Sequence, residues 1–371
     1  MGLLILLLLI GGVIFVHSAS SGPEDSFPSP LAKAHLLRIF VGCAVFAVFA
    51  FSDYRTWERW APLLYWMGIG LLLFLLFIKV TEGGVVRWFK IGGVSVQPSE
   101  WAKLFTIFWL AKIFHSSQIQ RSGTPILHPL LVVLLPFLLI AIQPDLGTAL
   151  VFVPIALAIL WVGGASLKLM GGMGLAGLVS AAVGYLFLLR DYQRDRLLVY
   201  IGRAGEDVAT AQSYHVTHSM ISIGSGGPSG KGLFLGTHSD LGYLPEDHND
   251  FIFGVIGEEW GLIGTLATVA IFMSLYLICL RVAWNTREPF GRLAVVGITA
   301  QLAFQTMVNL GMTVGLVPVT GLPLPLVSYG GTSMYIVMAG LGFIFSVARQ
   351  PVASLHPDGL LAGTSSPQHR P

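Results

Sequence analysis

Leu244-Pro-Glu-Asp-His-Asn-Asp-Phe-Ile-Phe253 is a short acidic and polar segment that runs straight into an apolar stretch from Phe251 to Leu280. A helix needs about 20 predominantly apolar residues to cross a bilayer, and this stretch exceeds that. Glu246, Asp247, His248 and Asp250 therefore sit at the expected mouth of a membrane helix. A carboxylate at a water–lipid boundary beside an apolar wall can have its pKa raised by desolvation, which suits it to take a proton near neutral pH. The structural alternative is a helix cap, because Asn249 or Asp250 is a good N-cap and negative charge suits a helix N-terminus.

Working outward, comparable apolar runs fall at 2–18, 36–52, 61–80, 99–115, 128–142, 147–163, 168–189, 293–309 and 330–348, with the first stretch counted as 251–281. Composition agrees: 54% of the 371 residues are hydrophobic and 11% charged, against about 25% charged in a soluble domain. Uncharged runs of this length imply helices, since the strands of a membrane barrel would alternate. The fold expected is an all-α integral membrane protein of about ten transmembrane helices. Residues 1–349 would form a single polytopic domain with one large extracytoplasmic loop over 190–250 and re-entrant segments. Residues 2–17 lack the positive flank of a secretory signal, so they read as a retained first helix. The polar stretches 19–35 and 53–60 read as connections, and the Pro-, Ser- and Gly-rich tail over 350–371 as disordered and cytoplasmic. A net charge of +2 points away from a nucleic-acid partner. Cys43 and Cys279 lie inside apolar runs and read as core residues.

Arg55, Arg59, Lys112, Arg281, Arg287 and Arg292 flank connections on the Met1 side, which makes that side cytoplasmic by the positive-inside rule. The unusual polar residues then gather on the opposite, outer face. Glu100 and Lys103 open the fourth span at a spacing of three, on one helix face and within reach of each other. They either form a self-neutralising pair or line a cavity. Asp145 lies in Gln143-Pro-Asp-Leu-Gly-Thr148, between two spans, as a turn cap or as part of a wet cavity. Arg194 and Arg196 begin the large loop, where they bind lipid headgroups or clamp a pyrophosphate, and Lys231 in Gly230-Lys-Gly232 could join them. That glycine cluster lacks the spacing of a nucleotide-binding P-loop. Residues 206–223 read as an amphipathic helix lying on the membrane. The prolines and glycines from Asn309 to Ser333 forbid one continuous helix. With Ser328, Tyr329 and Ser333 they suggest a re-entrant polar segment lining a cavity.

Taken together, these motifs resemble the SEDS family (RodA, FtsW, SpoVE), multi-spanning glycosyltransferases that polymerise peptidoglycan from lipid II. The resemblance rests on Gln97-Pro-Ser-Glu-x-x-Lys103, Gln143-Pro-Asp-Leu-Gly-Thr148, Gln193-Arg-Asp-Arg196, Ile223-Gly-Ser-Gly-Gly227, Leu244-Pro-Glu-x-His-x-Asp-Phe-Ile-Phe253 and the long Pro318–Ser333 run. It covers about residues 87–335. Thr237-His-Ser-Asp-Leu241 is more similar to the elongation-type members than to the septal ones. Asn249 stands where the pattern usually has Thr.

The resemblance implies attack by the 4-hydroxyl of an acceptor GlcNAc on the anomeric carbon of a donor MurNAc, with inversion and departure of undecaprenyl pyrophosphate. Asp250 matches the family's essential aspartate and would be the base, with Glu246 and His248 tuning it or binding acceptor. Arg87, Arg194, Arg196 and Lys231 would bind the pyrophosphate, together with a divalent cation, Mg²⁺ or Mn²⁺. Glu100, Lys103, Asp145, Ser328, Tyr329 and Ser333 would line the cavity. The implied partners are lipid II, a class B penicillin-binding protein acting as transpeptidase, other elongation-complex proteins and membrane lipid, all at the bacterial cytoplasmic membrane. A lipid II flippase is the alternative, and it predicts polar residues through the full membrane depth.

Overall fold

The structure, a computed structural model, describes residues 1–20, 27–78, 88–91, 94–116, 127–143, 145–165, 170–172, 174, 206–236 and 249–350. Among them, helices run over Gly2–Ser20 (α1), Pro30–Phe51 (α2), Tyr54–Phe77 (α3), Pro98–Ser116 (α4), Leu127–Ile142 (α5), Leu146–Leu150 (α6), Phe152–Val162 (α7), Glu206–Ser225 (α8), Ile252–Asn285 (α9), Pro289–Thr313 (α10) and Gly331–Arg349 (α11). Six of these, α1, α2, α3, α9, α10 and α11, are long and apolar enough to cross a membrane, and shorter apolar helices cover His128–Ile142 and Leu146–Val162. The expected spans thus have helical counterparts except 168–189, of which only residues 170–172 and 174 are described; the tail beyond Gln350 lies outside the described residues.

Several expected boundaries move for local reasons. Ser29 caps α2, its hydroxyl accepting from Ala32 N at 3.2 Å, and Pro30 fills the first turn. The helix therefore starts earlier than the apolar run does, since a cap and a proline set a start more sharply than hydropathy. Residues 53–60 are not a connection. Asp53 accepts from Arg55 N at 2.9 Å and starts α3 at once, leaving only Ser52-Asp53 between α2 and α3. The expected span 147–163 is two helices meeting at Val151. A short antiparallel hairpin, Phe89–Ile91 with Val94–Val96, departs from a purely helical chain.

α10 and α11 form the centre of the bundle. Phe108 of α4, Phe290 of α10 and Phe343 of α11 meet with ring centroids 4.8–6.3 Å apart, and α2 packs along α11. By contrast α2, α3 and α9 expose large apolar side chains, among them Phe40, Phe77, Ile263 and Leu277. A soluble surface rarely carries so many, whereas lipid tails accept them without penalty. α8 forms where an amphipathic helix is expected. One face of it, Ser219 and Ser222, is fully buried against α9 and α10.

Candidate active site

After Thr313 the chain leaves the helix and does not resume it until Gly331. Between them Leu322, Leu324, Leu326, Val327 and Ser328 are buried. The carbonyl oxygens of Leu326 and Val327 approach α1 so closely that a Cβ on Gly12 would stand 2.9 and 2.8 Å from them. Gly12 lies eight residues before the end of α1 at Ser20, about 12 Å down its axis. The segment therefore dips into the bundle, as a re-entrant polar segment should. Ser328 steadies it, its hydroxyl accepting from Leu324 N at 2.8 Å. Leu326 holds a φ of 66°, a conformation costing about 1–3 kcal/mol outside glycine.

This dipping segment is what brings the predicted residues together. Asn309, at the end of α10, donates through Nδ2 to the Asp250 carbonyl at 2.9 Å and to the Leu322 carbonyl at 2.8 Å. The Asp250 carboxylate faces the same turn, with Oδ2 3.6 Å from where a Cβ on Gly321 would lie. One residue earlier, the Thr320 carbonyl oxygen would be 2.4 Å from a Cβ on Gly147, so the segment presses on the start of α6. Asp145 caps that helix, Oδ1 accepting from Thr148 N at 3.3 Å, while Oδ2 accepts from Gln97 Nε2 at 3.0 Å. Gln97 N in turn donates to Thr332 Oγ1 at 3.0 Å, joining the starts of α4 and α11. Asp145 thus caps the turn, as one of its two readings had it, while its second oxygen ties it to Gln97. For Asp250 the structure bears on the cap reading. The N-cap of α9 is Phe251, with no side-chain cap, so half-buried Asp250 precedes the cap.

Lys103 Nζ lies 2.6 Å from Glu100 Oε1 with side chains 0% and 4% exposed, a buried pair. Glu100 Oε2 has no hydrogen-bond partner among the described residues. Tyr329 is half-buried beneath the Arg38 guanidinium, 3.8 Å from its ring centroid, and Ser333 is buried at the start of α11. Polar groups also lie deeper: Thr106 of α4 and Gln301 and Gln305 of α10 are buried, with side-chain atoms unpartnered among the described residues. Arg87, Arg194, Arg196, Glu246 and His248 lie outside the described residues.

Lys231 is placed, and its setting is specific. Its Nζ lies 2.5 Å from Glu258 Oε1, and Glu258 is fully buried. Ser222 Oγ donates to the other Glu258 oxygen at 2.9 Å, and Ser18 Oγ donates to Glu259. Sequence reasoning passed over Glu258 and Glu259 by treating Phe251–Leu280 as uniformly apolar. Two adjacent acids inside a membrane helix were the available signal. Gln97 and Asn309 were visible in motifs, but their partners are 48 and 59 residues away.

Hard divalent cations take several oxygen ligands. Among the described residues no group of three or more His, Cys, Asp or Glu could hold a metal ion. The described residues alone do not build the expected cation site.

A family model described as cell cycle protein, FtsW/RodA/SpoVE, matches residues 1–352. The chain belongs to the FtsW/RodA/SpoVE family. Within that family it is 35% identical over 345 residues to the peptidoglycan glycosyltransferase MrdB of Escherichia coli K12, covering 93% of this chain and 91% of that protein. It is 36% identical over 352 residues to a probable peptidoglycan glycosyltransferase FtsW of Geobacter metallireducens, covering 91% of each. Its fold is similar to a chain of a solved peptidoglycan synthase complex that coordinates polymerization and crosslinking, with a TM-score of 0.76, 27% identity, and 94% and 96% of the two chains covered. The multi-pass membrane architecture is thus that of a FtsW/RodA/SpoVE member.

Proposed function

We propose that this chain, a peptidoglycan glycosyltransferase by its family, polymerises lipid II into β-1,4-linked glycan with inversion at the MurNAc anomeric carbon. One observation carries the assignment. Half-buried Asp250 stands before the α9 cap, against the dipping turn at Gly321, its backbone held by Asn309. A base must be fixed within reach of the proton it takes. Asp250 takes the proton of the acceptor 4-hydroxyl as the new bond forms and the pyrophosphate leaves. Arg194 and Arg196 supply forked positive charge for that leaving group. The array lies on the outer face of the bacterial cytoplasmic membrane, with both termini cytoplasmic. A class B penicillin-binding protein is the proposed partner, supported by likeness to a chain from a complex that coordinates polymerization and crosslinking. Elongation is the proposed role, on the strength of Thr237-His-Ser-Asp-Leu241, and complementation of rod-shape against septation mutants separates the two roles.

The test is polymerisation of lipid II by the purified chain with its penicillin-binding partner, wild type against Asp250→Asn. Loss of a general base lowers rates by about 10²–10⁴-fold, so the variant should leave no visible glycan while melting like wild type. An active Asp250→Asn ends the base assignment. Chelation of Mg²⁺ and Mn²⁺ in the same assay tests the proposed cofactor. The deep polar residues Gln301 and Gln305 motivate a translocation reading, which needs lipid II to cross liposomes without glycan forming.

A further inference from the structure

α9 is broken inside the bundle. Gly261 has φ 63° and ψ −155°, so the helical ladder stops after Trp260 and begins again beyond it. A break at membrane depth frees backbone groups that must find partners in the protein. The glycine-rich turn supplies them. Lys231 N and Gly232 N donate to the Glu258 and Glu259 carbonyls at 3.0 and 3.0 Å, while Leu262 N and Ile263 N donate to the Gly227 and Pro228 carbonyls at 2.9 and 3.2 Å. Such contact needs bare backbone on both sides. A Cβ on Gly230 would lie 2.0 Å from the Glu259 carbonyl oxygen, and one on Gly261 would lie 2.4 Å from Gly230 N. The cluster therefore splices a broken helix.

The side chains then lock the splice. Lys231 pairs with Glu258, Ser222 of α8 holds the second Glu258 oxygen, and Ser18 of α1 holds Glu259. We propose that Lys231 and Glu258 are positioning residues for glycosyl transfer: their ion pair sets the direction of Ile252–Trp260 and so the place of Asp250. The proposal rests on the reading of Asp250 as base. It moves Lys231 out of the expected pyrophosphate set, because turning that ammonium toward a phosphate would break its ion pair with a fully buried carboxylate. Eleven residues separate Asp250 from Gly261, about 16 Å of helix. A tilt of about 5° at the break moves Asp250 by about 1.4 Å, and a misplacement of about 1 Å can cost about 10²-fold in rate.

The experiment compares Lys231→Met, Lys231→Arg, Glu258→Gln and the double Lys231→Met/Glu258→Gln in the full-length chain with its partner, measuring kcat and KM for lipid II and melting temperature. The pair acting as a latch predicts that Lys231→Met lowers kcat by about 10²-fold with KM within about threefold. Lys231→Arg should keep most activity, and the double variant should recover at least about tenfold over Lys231→Met, because no buried charge is left unpaired. A folded double variant as inactive as Lys231→Met, or a loss confined to KM, overturns the proposal and returns Lys231 to the substrate phosphates. Wild-type kcat in Lys231→Met overturns it as well. Asp250→Asn is assayed alongside, and its activity judges the base assignment independently of the pair.

Discussion

Consider Lys103→Met, which keeps most of the side-chain volume and removes the charge. Lys103 and Glu100 lie 2.6 Å apart with side chains 0% and 4% exposed, so solvent screens neither. At an effective dielectric of about 20, two unit charges at that separation attract by about 6 kcal/mol. Removing one partner leaves the other buried and uncompensated, which costs about 3–5 kcal/mol. Glu100 is poorly placed to absorb the change, since its Oε2 already has no hydrogen-bond partner among the described residues. At about 2 °C per kcal/mol for a chain of this size, the melting temperature in detergent should fall by about 6–10 °C. The double variant Glu100→Gln/Lys103→Met removes both charges and should recover most of that loss, because a neutral pair no longer pays for burying an ion. Tryptophan fluorescence on heating reads both. A Lys103→Met protein melting within about 1 °C of wild type, or a double variant no better than the single, would refute the reasoning.

Two further outcomes follow from local geometry. Gly147→Ala should abolish polymerisation and lower the melting temperature, since its Cβ would stand 2.4 Å from the Thr320 backbone oxygen, whereas Gly171→Ala, with nothing among the described residues within 4 Å, should leave both unchanged. Asp53, which caps α3, has its carboxyl held below the ordinary 3.8 by the hydrogen bond from Arg55 N. A depressed acid contributes stability above its unfolded value and loses it as pH falls through the folded one. Stability measured from pH 5 down to pH 3 should therefore fall less steeply in Asp53→Asn than in wild type, by a small margin because Asp53 is exposed.

The sequence by itself determined the class of protein and most of its helices. Hydropathy over a span-length window is a local property, and α9 to α11 follow from it without any knowledge of neighbours. Caps are local too, but hydropathy hid them, which is why Ser29 and Asp53 start α2 and α3 earlier than the apolar runs suggest. Motif chemistry flagged Asp250, Asp145 and the Glu100–Lys103 pair, because charge at membrane depth is costly wherever it occurs. Their uses were not local. Whether Asp250 is the cap of α9 depended on where that helix begins, and its cap residue is Phe251. Asn309 matters through a carbonyl 59 residues away, and Lys231 through a carboxylate 27 residues away. In sequence the glycine cluster offered only Lys231 as a candidate for pyrophosphate, and its packing against the break at Gly261 is seen only in the fold. Hydrogen bonds and ion pairs act over about 3 Å in space with no regard for sequence separation. The identity of the polar residues is therefore written along the chain, while the partner that gives each one its role was decided only by the folded bundle.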